Sequence, residues 1–207
     1  MKVREIIVML CVMSGFISCS DEDPIVLEPV KSETFSNLYA PQNGGQGQGP
    51  ISGDFTLFDF ETGTITTDSE NWDIGFRGTT IIVNGGISFG SQDEPDRTSS
   101  AAGYITTGGL ASINEVDESL LRQDSTSGYA IPTGGGNGWY NYTPFPANLI
   151  TPITGKVLVF RTTEGKFVKM EIVSYYENAP ENPDSTVDAA RYYTFNYVYQ
   201  PNDTNTF

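Results

Sequence analysis

The chain has 207 residues, with 26 Asp and Glu against 11 Lys and Arg, no histidine and two cysteines. A formal charge of −15 without a basic run excludes nucleic acid as a partner, and the lack of imidazole excludes Ser-His-Asp or Cys-His nucleophiles, His-held zinc and His-held haem iron. The 22 glycines, 12 prolines and 11 tyrosines, with 18% charged residues, are the composition of short strands and turns, so the expected fold class is all-β.

Lys2 and Arg4 precede an apolar run over residues 6–17, too short to span a bilayer and of the length of a signal-peptide core. Residues 1–18 therefore read as an export signal. Phe16-Ile17-Ser18-Cys19 resembles a bacterial lipobox, with Phe where Leu is usual, which would make Cys19 the acylated first residue of the mature chain. An ordinary cleavage site beside an incidental cysteine is the plainer alternative. Lipidation is favoured because Cys11 leaves with the signal, and a lone cysteine in an exported chain has no intrachain partner. No second apolar run approaches membrane length, so the lipid alone would hold the protein to a membrane. The acidic run Asp21-Glu22-Asp23 resembles the surface-export signal of lipoproteins in the Bacteroidetes, or is simply solvated tether.

Residues 19–50 read as a tether. The stretch 20–34 is polar and acidic with Pro24 and Pro29, and 42–50 is a Gly/Gln tract with little to bury. Neither that tract nor Gly134-Gly135-Gly136 with Gly138 is followed by the Gly-Lys-Ser/Thr and helix that a phosphate loop needs. Residues 51–207 remain for one core. Strand signals fall at 55–60, 64–67, 72–77, 79–83, 103–105, 155–162, 166–176 and 191–199, separated by Gly, Asp, Asn and Ser, as in a single antiparallel domain with short strands and long loops. Ser112 and Glu115 have capping-box spacing, and Ile113, Val116, Leu120 and Leu121 share one face of a short helix drawn there.

The last hairpin can be placed in register. A loop Thr163-Glu164-Gly165, with Gly165 in the left-handed position of a bulge, sets Thr162 opposite Lys166, Phe160 opposite Val168 and Leu158 opposite Met170. These apolar side chains and Ile172 share one face, and Arg161, Lys169 and Glu171 the other. Met170 is then core, and as the only methionine beyond the signal it leaves no pair of Met ligands.

Local carboxylate groups are Asp59 with Glu61, Asp68 with Glu70, Asp73, and Glu115 with Asp117 and Glu118. Such spacing does not show the raised pKa that acid–base catalysis needs, and turns or strand faces account for it, so the chain reads as non-catalytic. Asp93-Glu94-Pro95-Asp96 lacks the Gly and distal Glu of a calcium loop and reads as a charged loop, with no metal site. The aromatics say more. Trp139-Tyr140-Asn141-Tyr142-Thr143-Pro144-Phe145-Pro146 lies between Gly-rich and Pro-containing segments, with Tyr129 upstream. Tyr129, Trp139, Tyr140 and Tyr142 are the candidates for stacking on a flat ligand. The alternative is that Trp139 and Phe145 plug the end of the sheet while the tyrosines decorate it. Tyr193, Phe195, Tyr197 and Tyr199 alternate as one sheet face.

Phe58-Asp59-Phe60 with Gly63, then Asn71-Trp72-Asp73-Ile74-Gly75-Phe76-Arg77, Asn84-Gly85-Gly86, and the run from Gly155 to Thr162 followed by Gly165 to Met170, resemble the HmuY family over about residues 55–199. The resemblance implies a surface-exposed, outer-membrane lipoprotein of Bacteroidetes that captures haem and passes it to a TonB-dependent outer-membrane receptor. Better-known members hold the iron with two axial His or Met side chains on late loops, and this chain departs there. The corresponding loop, 139–146, offers Tyr140 or Tyr142 as a phenolate for ferric haem, with no second ligand evident. Two readings follow: a binder of haem or a related tetrapyrrole that uses Tyr and stacking, or an accessory or interaction lipoprotein that kept the scaffold, lost haem, and takes another ligand such as a glycan, or a protein partner.

Overall fold

The structure is a computed structural model and describes residues 27–45 and 47–207. The signal peptide, Cys19 and the acidic run after it lie outside the described residues. Within them, eleven strands follow in chain order: β1 (Lys31–Tyr39), β2 (Thr56–Asp59), β3 (Thr64–Thr66), β4 (Ile74–Arg77), β5 (Thr80–Val83), β6 (Ala102–Thr107), β7 (Tyr140–Thr143), β8 (Leu149–Pro152), β9 (Lys156–Arg161), β10 (Phe167–Tyr176) and β11 (Ala190–Gln200). They form an antiparallel five-stranded sheet in the order β1-β11-β10-β9-β6, a four-stranded sheet in the order β3-β2-β4-β5, and a separate β7–β8 hairpin. The all-β class expected from composition is the class observed, with antiparallel sheets.

The two larger sheets face each other across one core. Alternation supplies it: Phe58 and Phe76 from the smaller sheet meet Phe160, Met170, Phe195 and Tyr197 from the larger, all buried. Aromatic edges and faces knit the layers. Phe58 lies edge-on to Phe195 at 5.4 Å, Phe76 stacks on Phe195 at 5.8 Å, and Phe60 tilts against Tyr197 at 5.3 Å. The β9–β10 turn has the predicted register, with Phe160 opposite Val168 and Leu158 opposite Met170. Gly165 sits at φ 82°, the left-handed turn position that costs glycine least.

One buried carboxylate joins the sheets. Asp73, leading into β4, accepts the Phe60 N–H at 2.9 Å on one oxygen and the Thr163 N–H, in the β9–β10 turn, at 2.7 Å on the other. The Thr163 hydroxyl in turn donates to the Trp72 carbonyl at 2.8 Å. Asp73 forms no ion pair among the described residues.

Two expectations differ from the structure. First, part of the stretch read as tether is strand: β1 pairs with β11 from Lys31 opposite Tyr199 to Tyr39 opposite Tyr192. Its alternation was hidden because β1 is an edge, exposed over most of its length, and a bulge between Phe35 and Leu38, with Asn37 at φ 61°, breaks the period. Second, no helix forms across 112–121. Two 3-10 turns, Leu110–Ser112 and Glu118–Leu120, flank an extended stretch instead. The Val116 N–H donates to Asn205 O at 2.8 Å and is unavailable for a helical bond, while the Ser112 hydroxyl turns back to Gly109 O. The face of β10 carrying Lys169 is covered. The 110–121 segment and Phe207 pack over Tyr104, Val157, Val159 and Phe167, and the Lys169 ammonium donates to Ile113 O at 2.7 Å. Beyond these, β7 and β8 are strands the sequence had not marked.

Two outcomes test this architecture. Burial pushes the Asp73 carboxyl up to about 7, against its two N–H bonds, which favour the anion. The folded chain therefore holds a proton that the unfolded chain, near 3.9, releases. This contribution to stability is complete below about pH 4 and lost as pH rises through about 7. The stability of the unaltered chain relative to Asp73→Asn should fall by up to about 4 kcal/mol between those limits, measured by urea unfolding at several pH values; a constant difference would show that Asp73 stays charged throughout. A chain trimmed to begin at Ile51 lacks β1 and leaves β11 as an open edge. It should unfold at lower urea than one beginning at Leu27 and self-associate by light scattering, and equal behaviour would mean that β1 adds nothing to the sheet.

Candidate functional site

At the end of the sandwich where β10 finishes and β11 begins, the β7–β8 hairpin, paired into neither sheet, bounds a cleft of about 700 Å³. That volume suits a small ligand. Tyr140, Tyr142, Phe145 and Ile150 of the hairpin form one side, and Tyr175, Tyr176 and Arg191 the other. The hairpin is fastened to β10 by the Ile150 N–H, which donates to the Tyr176 hydroxyl at 3.0 Å, and by the Ser185 hydroxyl, which donates to Ala147 O.

The floor is aromatic and rigid. Trp139 is buried, with its indole N–H on Thr79 O at 3.0 Å, and it tilts against Tyr140, Tyr193 and Tyr175 at 4.9, 5.1 and 5.7 Å. The Tyr193 hydroxyl donates to Gly78 O at 2.9 Å. The Gly-rich run before Trp139 has a steric reason, since a Cβ at Gly138 would lie 2.1 Å from Pro132 O. Only glycine lets the chain pass there and turn into β7.

Of the four sequence candidates, the structure brings Tyr140 and Tyr142 together in the cleft and places the other two elsewhere. Trp139 lies beneath the cleft as support and does not line it. Tyr129 belongs to a different cluster, near Phe55, Trp72 and Ile82 on the smaller sheet, with its ring 5.1 Å from Phe89 and its hydroxyl against Ser91 at 3.2 Å. Tyr142 is 44% exposed and its hydroxyl donates to Asn148 at 3.0 Å, whereas Phe145, considered as a plug, is 84% exposed at the hairpin tip. The loop at 93–96 is committed internally: Glu94 pairs with Arg97, which also bridges to Asp124 at 2.8 Å.

Tyr175, Tyr176 and Arg191 were missed. The only sequence signal was an aromatic pair at a strand end followed, across a loop, by an isolated cation. Their convergence depends on irregular pairing that periodicity does not reveal. The step from Ser174 to Tyr176 on β10 matches the longer step from Thr194 to Ala190 on β11, and Arg191 sits at φ 73°. Burial pushes the Tyr175 hydroxyl far above its ordinary value, against the pull of the neighbouring Arg191 guanidinium, so Tyr175 stays protonated. Methionine offers nothing here, because Met170 is fully buried in the core.

Another hollow, of about 840 Å³, lies on the covered face of the larger sheet between Val30, Leu110, Lys169, Val198 and Phe207. Its aromatics are Tyr197 and Phe207 alone, Glu33 and Glu171 also line it, and its cation is already bonded to Ile113 O. The tyrosine-lined cleft is the better candidate.

No curated protein matches the chain. Among solved structures, the apo HmuY analog of Tannerella forsythia is similar at 11% identity and a TM-score of 0.51, over 85% of this chain and 99% of that one. An HmuY_like protein of Bacteroides vulgatus is similar at 16% identity and a TM-score of 0.45, over 84% of this chain and 93% of that one. The family model described as HmuY protein matches residues 53–197. That span opens just before β2 and closes within β11, taking in the Asp73 junction and the cleft, and on this match the chain belongs to the HmuY family.

Proposed function

We propose that this chain is a non-catalytic surface lipoprotein that holds haem or a related tetrapyrrole in the tyrosine-lined cleft and delivers it to a TonB-dependent outer-membrane receptor. The observation that carries the reading is the cleft itself, a ring-lined hollow between the β7–β8 hairpin and the end of β10, in a chain of the HmuY family. The donor set suits the porphyrin ring more fully than the iron. Without histidine and with Met170 in the core, no His or Met pair can be assembled on the iron, and Tyr142 is the accessible phenol of the cleft. Stacking and apolar contact supply most of the hold.

The anchor geometry supports presentation at a surface. Acylation at Cys19 would tether the chain ahead of β1, whose first residue, Lys31, pairs with Tyr199 near the end of β11. The cleft lies at the opposite end of β11, roughly 30 Å away at the rise of an extended strand. Among the described residues no helix is long and apolar enough to cross a membrane.

The missing histidine favours a second reading in which the scaffold serves as an accessory or interaction lipoprotein, with a glycan face or a protein partner in place of haem. Absorbance titration of the chain from Leu27, free of any histidine tag, with ferric and ferrous haem separates the two. The expected result is a saturable Soret change, with phenolate-type ferric bands lost in Tyr142→Phe and affinity lowered about tenfold in Tyr142→Ala. No change in either oxidation state would overturn haem binding and leave the second reading.

A further inference from the structure

The charge distribution of the cleft does not match that of the chain. The molecule carries −15, yet among the described residues no carboxylate lines this cleft and its one charged side chain is Arg191. The guanidinium is positioned with some care. Irregular pairing between β10 and β11 turns the chain at Arg191, a non-glycine residue at φ 73°, and such departures from a regular ladder re-aim a side chain. The Arg191 carbonyl accepts the Ala40 N–H at 2.8 Å, which holds the backbone, and one guanidinium nitrogen donates to Gln42 O at 2.6 Å, which holds the side chain. Among the described residues it makes no ion pair, and beyond Gln42 O its one other side-chain partner is the Tyr175 hydroxyl, so a half-buried cation with five N–H groups keeps donors for the cleft without a countercharge.

We infer that Arg191 is the specificity-determining anion site of the cleft, and that the ligand class it selects is a flat ring system bearing a carboxylate. This rests on the cleft being the ligand site. The ring lies among Tyr140, Tyr142 and Tyr176, and its carboxylate takes the free N–H groups of Arg191 as a charge-assisted pair. A neutral ring of the same shape would leave that cation unpaired on binding, which is the basis for rejecting it.

Iron-free protoporphyrin IX and its dimethyl ester, compared at the same low concentration of non-ionic detergent, test this independently of iron ligation. Binding is read as quenching of the chain's tryptophan fluorescence. The acid should bind at least tenfold more tightly than the ester. The preference should vanish in Arg191→Gln, persist in Arg191→Lys, and shrink with added salt. Equal binding of acid and ester by the unaltered chain, or a preference retained in Arg191→Gln, would overturn the inference while leaving the cleft as the ligand site. Binding of neither would overturn both. Urea midpoints of both variants show whether a lost preference reflects lost folding, and Arg191→Lys tests for charge even if Arg191→Gln is destabilised.

Discussion

The structure depends on a carboxylate that has been taken out of water and given two N–H groups in return. Asp73 faces Phe60 from one sheet and Thr163 from the turn of the other, so the two layers are tied at one point by directional bonds as well as by aromatic packing. Packing alone tolerates sliding, because apolar contact has no direction. The bonds to Asp73 do not tolerate it. They fix which residues of β11 the phenylalanines of the smaller sheet and its β2–β3 turn meet, and hence the edge-on, tilted and stacked contacts of Phe58, Phe60 and Phe76.

Fastening the sandwich at that end leaves the other end free to be irregular. The β9–β10 turn lies beside Asp73, whereas the far end of β10 loses its regular partnership with β11 after Ile172. There the chain places a separate hairpin, a glycine-rich passage through Gly138, and Arg191 in a strained conformation. Strain of this kind persists where the surroundings over-determine it. The buried floor of Trp139, Tyr175 and Tyr193, with Trp139 and Tyr193 bonded to the carbonyls of Thr79 and Gly78, provides that constraint.

The same division explains what could be read from the sequence. The hairpin at 156–176 was legible to the residue because its apolar alternation is unbroken and its turn demands Gly165. Strands β2 to β6 were legible for similar reasons. β1 was not, since an edge strand with a bulge has neither continuous alternation nor burial to enforce one. The helix drawn over 112–121 failed because local spacing carries no information about Asn205, which takes the Val116 N–H. At the cleft, Tyr140 and Tyr142 were visible as aromatics on a suspicious loop, but Tyr129 belongs to another cluster, and nothing in spacing links them to Tyr176 or Arg191. Those residues meet only because strand pairing departs from regularity.

The residues that mark the family are also not the residues that line the cleft. Asn71-Trp72-Asp73 and Asn84 are occupied with the frame: Asn71 bonds to Asp68, Asp73 to both sheets, and Asn84 to Glu70 O and the Thr98 N–H. A match built on them certifies the sandwich and leaves the ligand open, which is why the chain keeps the fold while lacking histidine. Electrostatics narrows the possibilities further. A surface at −15 repels an anionic ligand at long range, but at physiological salt that field is screened beyond about 8 Å. Inside that distance the contest is local, and the charged side chain that lines the aromatic cleft is one guanidinium. A ligand with a large ring and a small charge gains from both features, whereas a compact anion gains only from the second. The acidity of the chain thus sharpens selection for the ring by discouraging anions that have nothing else to offer.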